Sequence, residues 1–281
     1  MAASSLLKRT LTSVLLVVVL VGALVLHPLC CAALFAAALA VMINEYYRMA
    51  LGRGTHTVTR VVAICLAVLA FLAVFMIKYY KVGLHVLLYT FPLFIILLVA
   101  VLLDRKERIE RLTAPDICFP LVYLLPSMAV STLLLFDRTG TYNPYLFIAV
   151  MVLVWASDVG AYALGMAFGQ RERCRKLAPT ISPKKSWAGV WGSVLFTLAA
   201  AVIIFFLKCF DLQLWYWLVA ALIVVVFGIL GDLFESLIKR HFGQKDAGCI
   251  LAGHGGLLDR FDGALFAVPM VTVFFILTSI I

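Results

Sequence analysis

From about residue 11 to its end the chain alternates uninterrupted apolar runs with short polar stretches. A water-facing helix carries its apolar residues on one stripe, with polar residues opposite. These runs have no polar face, so they must face lipid and one another. A spanning helix needs about 20 largely apolar residues, and nine segments can be drawn: 11–27, 28–44, 61–77, 84–103, 117–136, 144–169, 188–207, 212–231 and 263–281. The first two are short and meet at His27-Pro28, which predicts a tight hairpin. The expected fold is all-α, a polytopic transmembrane helical bundle of about nine spans. No internal repeat, low-complexity tract or Pro/Gly/Ser-rich linker divides it. It reads as one membrane domain, 1–281, in which 1–145 supplies N-terminal anchoring helices and 146–281 the remaining helices and their loops.

Composition strengthens this reading. Of 281 residues, 65% are hydrophobic and 13% charged, and the mean hydropathy is +1.11; a soluble domain is roughly half apolar and a quarter charged. The net charge of +9 could mark a nucleic-acid partner or only the loops of a polytopic protein. With the N-terminus in the cytoplasm, 19 of the 23 Lys and Arg fall on that side, and only Lys78, Lys81, Arg138 and Lys208 lie opposite. This positive-inside pattern accounts for the basic balance, so no nucleic acid is expected. Lys8 and Arg9 before residues 11–26 could open a signal peptide, but a second apolar run follows at once, which favours a retained first span. The seven cysteines lack paired C-x-x-C spacing and read as reduced thiols.

The carboxylates change the picture from residue 150 onward. Asp158, Asp232, Glu235, Asp246, Asp259 and Asp262 lie inside apolar runs or at their cytoplasmic ends. Charge at membrane depth is costly and by default functional. Asp232, Glu235, Ser236 and Lys239 stand at i, i+3, i+4 and i+7, so they share one helix face. A plain alternative is a charge-paired helix end, with Glu235 and Lys239 as an i,i+4 pair. Downstream, Gly253-His254-Gly255-Gly256 runs into Asp259, Arg260 and Asp262. Glycines there let backbone N–H groups approach phosphate oxygens, though such loops also simply join helices. Two carboxylate-bearing helix ends on one side of the membrane suit Mg²⁺, which is held by one or two carboxylates plus substrate phosphates. No cysteine or histidine pair argues for zinc.

Two upstream features fit the same chemistry. Ser182-Pro183-Lys184-Lys185-Ser186 places two hydroxyls around two ammonium groups beside a rigid proline, a donor set for a polyphosphate. The arginines before it, Arg171, Arg173 and Arg175, serve equally well as topology signals. Asp158 stands inside the sixth span with Tyr162 one turn on, either hydrogen-bonded in the core or facing a wet cavity.

Residues 236–262, SLIKRHFGQKDAGCILAGHGGLLDRFD, resemble the signature of the phosphatidate cytidylyltransferase (CDP-diacylglycerol synthase) family. The matching positions are Ser236, Lys239-Arg240, Lys245-Asp246, His254-Gly255-Gly256, Asp259-Arg260 and Asp262. Ser157-Asp158 with Ala161-Tyr162, and Ile181 to Ser186, resemble the family too, so the likeness covers about residues 150–265. Two positions depart from it: Trp187-Ala188-Gly189 stands where the family has x-Glu-Gly, and Ala252 where it has proline.

The resemblance implies that phosphatidate attacks the α-phosphorus of CTP, giving CDP-diacylglycerol and pyrophosphate, at a site facing the cytoplasm in a bacterial cytoplasmic membrane. It implies Asp232 and Asp259 as direct Mg²⁺ ligands, supported by Asp262 and Glu235, with room for a second cation. Ser182, Lys184, Lys185, Ser186, Ser236, Lys239 and Arg240 would bind phosphates. Lys245, Asp246, His254 and Arg260 would shape the nucleotide side, and Asp158 the cavity. The partners expected are CTP, phosphatidate and membrane lipid, and a homodimer is compatible with the pattern. Competing readings are a related CTP-dependent lipid kinase, a cytidylyltransferase acting on another lipid, or a secondary transporter, which would show repeats and broken helices.

Overall fold

The predicted runs become helices because an unbroken apolar segment leaves its backbone N–H and C=O groups no partner but each other. The computed structural model describes residues 2–52, 56–104, 114–170, 174–248 and 255–281. Within them, seven helical stretches are long and apolar enough to cross a membrane: Pro28–Leu51, Thr57–Tyr80, Leu84–Val101, Asp116–Leu135, Tyr145–Ala167, Trp187–Phe206 and Leu214–His241. Val14–Leu26 and Ala264–Leu277 are shorter apolar helices in the places of the first and ninth predicted spans. The chain is an integral membrane protein built almost wholly of α-helix.

Two units divide the chain, Met1–Pro144 with Asp246–Arg260, and Tyr145–Lys245 with Phe261–Ile281. The first contains α1 (Ala2–Leu26), α2 (Pro28–Leu51), α3 (Thr57–Tyr80), α4 (Phe91–Asp104) and α5 (Ala114–Ser131). At the predicted hairpin His27 is extended and its side chain accepts the Leu29 N–H at 3.1 Å. Pro28 in the first turn has no N–H to leave unsatisfied. Helix α2 packs against α1, α3 and α5, burying Leu39, Met42, Ile43 and Tyr47. The Tyr47 hydroxyl donates to the Ile117 carbonyl of α5 at 2.7 Å, so the aromatic residue buries its polar tip without loss.

In the second unit α6 (Tyr145–Ala167) and α7 (Trp187–Phe206) pack most intimately. A Cβ on Gly160 would stand 2.3 Å from the Gly192 carbonyl oxygen, and one on Gly192 would stand 2.1 Å from that of Gly160. Only glycine permits that crossing, the small-residue mode by which membrane helices associate. The approach also lets the Ser193 hydroxyl donate to the Ser157 carbonyl at 3.0 Å. Helix α8 (Leu214–His241) packs on α7 and on α10 (Ala264–Leu277), where Trp217 meets Phe275 edge-on. At 28 residues α8 is about 42 Å long. That exceeds a hydrocarbon core of about 30 Å, so α8 is longer than a straight crossing requires.

One segment departs from the all-helical expectation. Lys176–Ala178 (β1) and Ser182–Ser186 (β2) form an antiparallel ribbon, with Lys176 opposite Ser186 and Ala178 opposite Ser182. Pro179-Thr180-Ile181 makes the turn. Strand β2 then runs directly into α7, where Ser186 is the N-cap and its hydroxyl accepts the Gly189 N–H at 3.3 Å.

Candidate active site

The second unit contains a cleft of about 310 Å³ walled by α6, the ribbon, the start of α7, α8 and the residues leading into α10. Helix α6 contributes Asp158 and Tyr162 on one side. Both are exposed, so Asp158 faces a cavity. The ribbon presents Lys184, Lys185 and Ser186, and Asp232 and Asp262 complete the polar lining. Ser182 lies at the other end of β2, beside the turn. The volume is at the lower end of the range for small-molecule sites, about 300–1,000 Å³.

One wall of this cleft carries an ion pair. Lys185 Nζ lies 2.5 Å from Asp232 Oδ2, and the Ser236 hydroxyl lies 3.5 Å from Asp232 Oδ1. One turn along, the fully buried Glu235 is held 3.2 Å from Lys239 Nζ, so the helix-end pair is formed. Asp262 Oδ1 accepts the N–H of Gly263 at 2.7 Å. Burial, reinforced by Asp232 and Glu235, pushes the Asp262 carboxyl well above the usual carboxylate range. Gly231 brings α8 against this segment, since a Cβ there would stand 2.5 Å from the Asp262 carbonyl oxygen.

Among the described residues no group of three or more His, Cys, Asp and Glu forms a ready metal cage. Mg²⁺ does not need one, because substrate phosphates and water complete its octahedron. Two carboxylates in a cleft that also carries lysines therefore fit a hard cation with a phosphate ligand.

Asp259 belongs to the first unit. Its carboxylate accepts the N–H of Ala247 at 2.9 Å and of Gly256 at 2.8 Å, tying together the two ends of the signature loop. Lys245 and Asp246 are exposed, as are Arg240 at the end of α8 and Arg260 in the single turn α9 (Leu258–Phe261). His254 lies outside the described residues. Ala188, half-buried in the first turn of α7, stands where the family carries its acid.

Sequence reasoning missed Glu45. Its carboxylate, 1% exposed, accepts the N–H groups of Leu257 at 3.0 Å and Leu258 at 2.9 Å. The second apolar run appeared to stop at residue 44, which left Glu45 just outside it, whereas α2 continues to Leu51. The available signal was that Glu45 is the sole acidic residue before Asp104.

The profile of the cytidylyltransferase family matches residues 7–278, nearly the whole chain. The chain belongs to this family. Curated relatives include a phosphatidate cytidylyltransferase of Staphylococcus haemolyticus, 43% identical over 141 residues, which cover 50% of this chain and 53% of the relative. The enzyme of that name from Staphylococcus saprophyticus is 36% identical over 171 residues, 61% of this chain and 62% of the relative. That from Staphylococcus aureus is 39% identical over 141 residues, 50% of this chain and 53% of the relative. The chain thus spans about half the length of the curated relatives it matches. The polar cleft of this cytidylyltransferase-family member lies within residues 150–265, the part that carries the resemblance.

Proposed function

We propose that this chain is a phosphatidate cytidylyltransferase: phosphate oxygen of phosphatidate attacks the α-phosphorus of CTP, the bond to the β-phosphate oxygen breaks, and CDP-diacylglycerol and pyrophosphate result. The observation that carries the reading is the cleft in which Lys184, Lys185 and Ser186 face Asp232 and Asp262. It combines donors for a triphosphate with carboxylates for a cation, on helices otherwise suited to lipid. The names of the relatives support the substrates.

Asp232 and Asp262 would hold Mg²⁺ in this cleft; Asp259, which the signature resemblance names as a cation ligand, keeps carboxylate lone pairs beyond its two backbone bonds. Bound there, Mg²⁺ supplies charge compensation for the phosphate oxygens and the departing pyrophosphate. Lys185 carries its own part of the work. Its pairing with Asp232 holds it at the cleft wall, and a triphosphate arriving there competes with the carboxylate for its ammonium group. Lys184, exposed on the same strand, provides a second ammonium. The attacking phosphate is already anionic, so no strong general base is required. The basic asymmetry of the loops supports a cytoplasmic N-terminus and a cytoplasm-facing site in the bacterial cytoplasmic membrane.

Purified protein in detergent, given cytidine-labelled CTP, phosphatidate and Mg²⁺, should form a cytidine-containing product that extracts into organic solvent. It should form none when phosphatidate is replaced by diacylglycerol. Absence of such a product from well-folded protein at any Mg²⁺ concentration would refute the reading.

A further inference from the structure

Glu45 sits in the half of the chain that sequence reasoning assigned to anchoring, yet its surroundings are unlike those of an anchor residue. Its carboxylate is buried and receives two consecutive backbone N–H groups, those of Leu257 and Leu258, one on each oxygen. Glycines close around it. A Cβ on Gly248 would stand 2.5 Å from Oε1, and one on Gly256 would stand 2.7 Å from Oε2. Thus both ends of the 246–260 segment are shaped to a single side chain of α2. Asp259 makes the complementary fastening inside the segment through Ala247 and Gly256.

Resting on the function proposed above, we infer that Glu45 is a positioning residue: it clamps the signature loop and so fixes Asp259 and Arg260, without itself touching substrate. Charge-assisted bonds of this kind are about twice as strong as neutral ones. A buried carboxylate held only for packing would not require two glycines without side chains at contact distance. The chemistry also specifies the residue type. Glutamine in the same place offers one acceptor oxygen and turns an NH₂ donor toward the second N–H, so one bond is lost and replaced by a donor–donor contact. Aspartate keeps the charge but withdraws it by one methylene.

The test combines kinetics with amide hydrogen exchange on the full chain in detergent. Glu45→Gln should lower kcat/KM for CTP roughly tenfold to a hundredfold, as expected for loss of one bond to a charged group. The KM for CTP should rise while that for phosphatidate holds. General destabilisation would instead reduce the active fraction and leave both KM values alone. Exchange should accelerate in the peptide covering Leu257 and Leu258 and not in one from α7. Gly248→Ala should be severely impaired alone, and less so than the product of the separate effects when combined with Glu45→Asp, which withdraws the carboxylate from the new methyl group. Wild-type CTP kinetics and exchange in Glu45→Gln, or effects of Gly248→Ala and Glu45→Asp that simply multiply, would overturn the inference. If the wild-type protein shows no cytidylyl transfer, it is the proposed reaction that fails, and exchange, which needs no turnover, still decides the role of Glu45.

Discussion

Asp232 and Asp259 test the account at the scale of single residues, because they meet different surroundings. Asp232 is ion-paired to Lys185 and half-exposed to the cleft, whereas Asp259 is fastened to two backbone N–H groups. Asp→Asn preserves size and removes charge. If both serve the cation, either substitution should cut kcat by orders of magnitude, each factor of ten being about 1.4 kcal/mol of barrier. The double variant should then be little worse than the worse single one, since groups acting as a unit are not additive. Asp211→Asn, in the exposed link before α8, should behave as wild type. Fully multiplicative losses would assign the two carboxylates to separate tasks. Ala188→Glu supplies the family's acid in the first turn of α7, where a negative charge also suits the helix N-terminus. It should raise kcat or lower the KM for CTP; an unchanged or poorer enzyme would mean that the lysine strand has adapted to alanine. The stripe from Asp232 to Lys239 was legible because helical periodicity alone puts those residues on one face. The Lys185–Asp232 pair was not, because 47 positions separate its members and no local rule joins them.

Elements were legible wherever hydropathy alone decides them, and less so where packing does. Every predicted apolar segment falls on a helix, since length and continuity suffice for that decision. The β1–β2 ribbon escaped notice: β1 has three residues, and β2 has five, all polar but for Pro183, so neither has an alternating pattern to read. What holds this ribbon is its place between α6 and α7, with Lys176 Nζ donating to the Gly169 carbonyl at 2.9 Å and Ser186 capping α7. The α6–α7 crossing makes its own prediction. Gly192→Leu forces a side chain into the Gly160 carbonyl and should destabilise the protein by about 1–3 kcal/mol or more, read as a lower thermal midpoint in detergent. Gly22→Ala in α1, where a Cβ meets nothing within 4 Å, should leave the midpoint unchanged or raise it slightly. Equal tolerance at both positions would contradict the close helix approach.

For the whole molecule, topology and chemistry must agree on one side of the membrane. Gln170 follows α6 and is exposed, next to the arginine-rich stretch assigned to the cytoplasm. A cysteine at this position, in a background without reactive native thiols, should resist an impermeant thiol reagent in intact cells and label after permeabilisation. Labelling in sealed cells would invert the orientation. Fold class was readable because unbroken apolar runs leave a helix in lipid as the one arrangement that satisfies their backbone, and the few polar residues inside them stand out for the same reason. The separation into two units, with 246–260 grouped with the N-terminal helices, was not readable, because it rests on contacts such as Glu45 with Leu257 and Leu258 that span more than 200 residues.

The central claim is transfer of a cytidylyl group, and the fate of each phosphorus tests it most directly. Purified protein is given phosphatidate, Mg²⁺ and CTP labelled at either the α- or the γ-phosphorus, with Asp232→Asn protein as control. The account predicts that α-label enters the lipid fraction and γ-label leaves as pyrophosphate, both in equal amount and both nearly lost in the variant. Transfer of γ-label to lipid would make this protein a kinase, and turnover undiminished in Asp232→Asn would remove the cleft from the reaction.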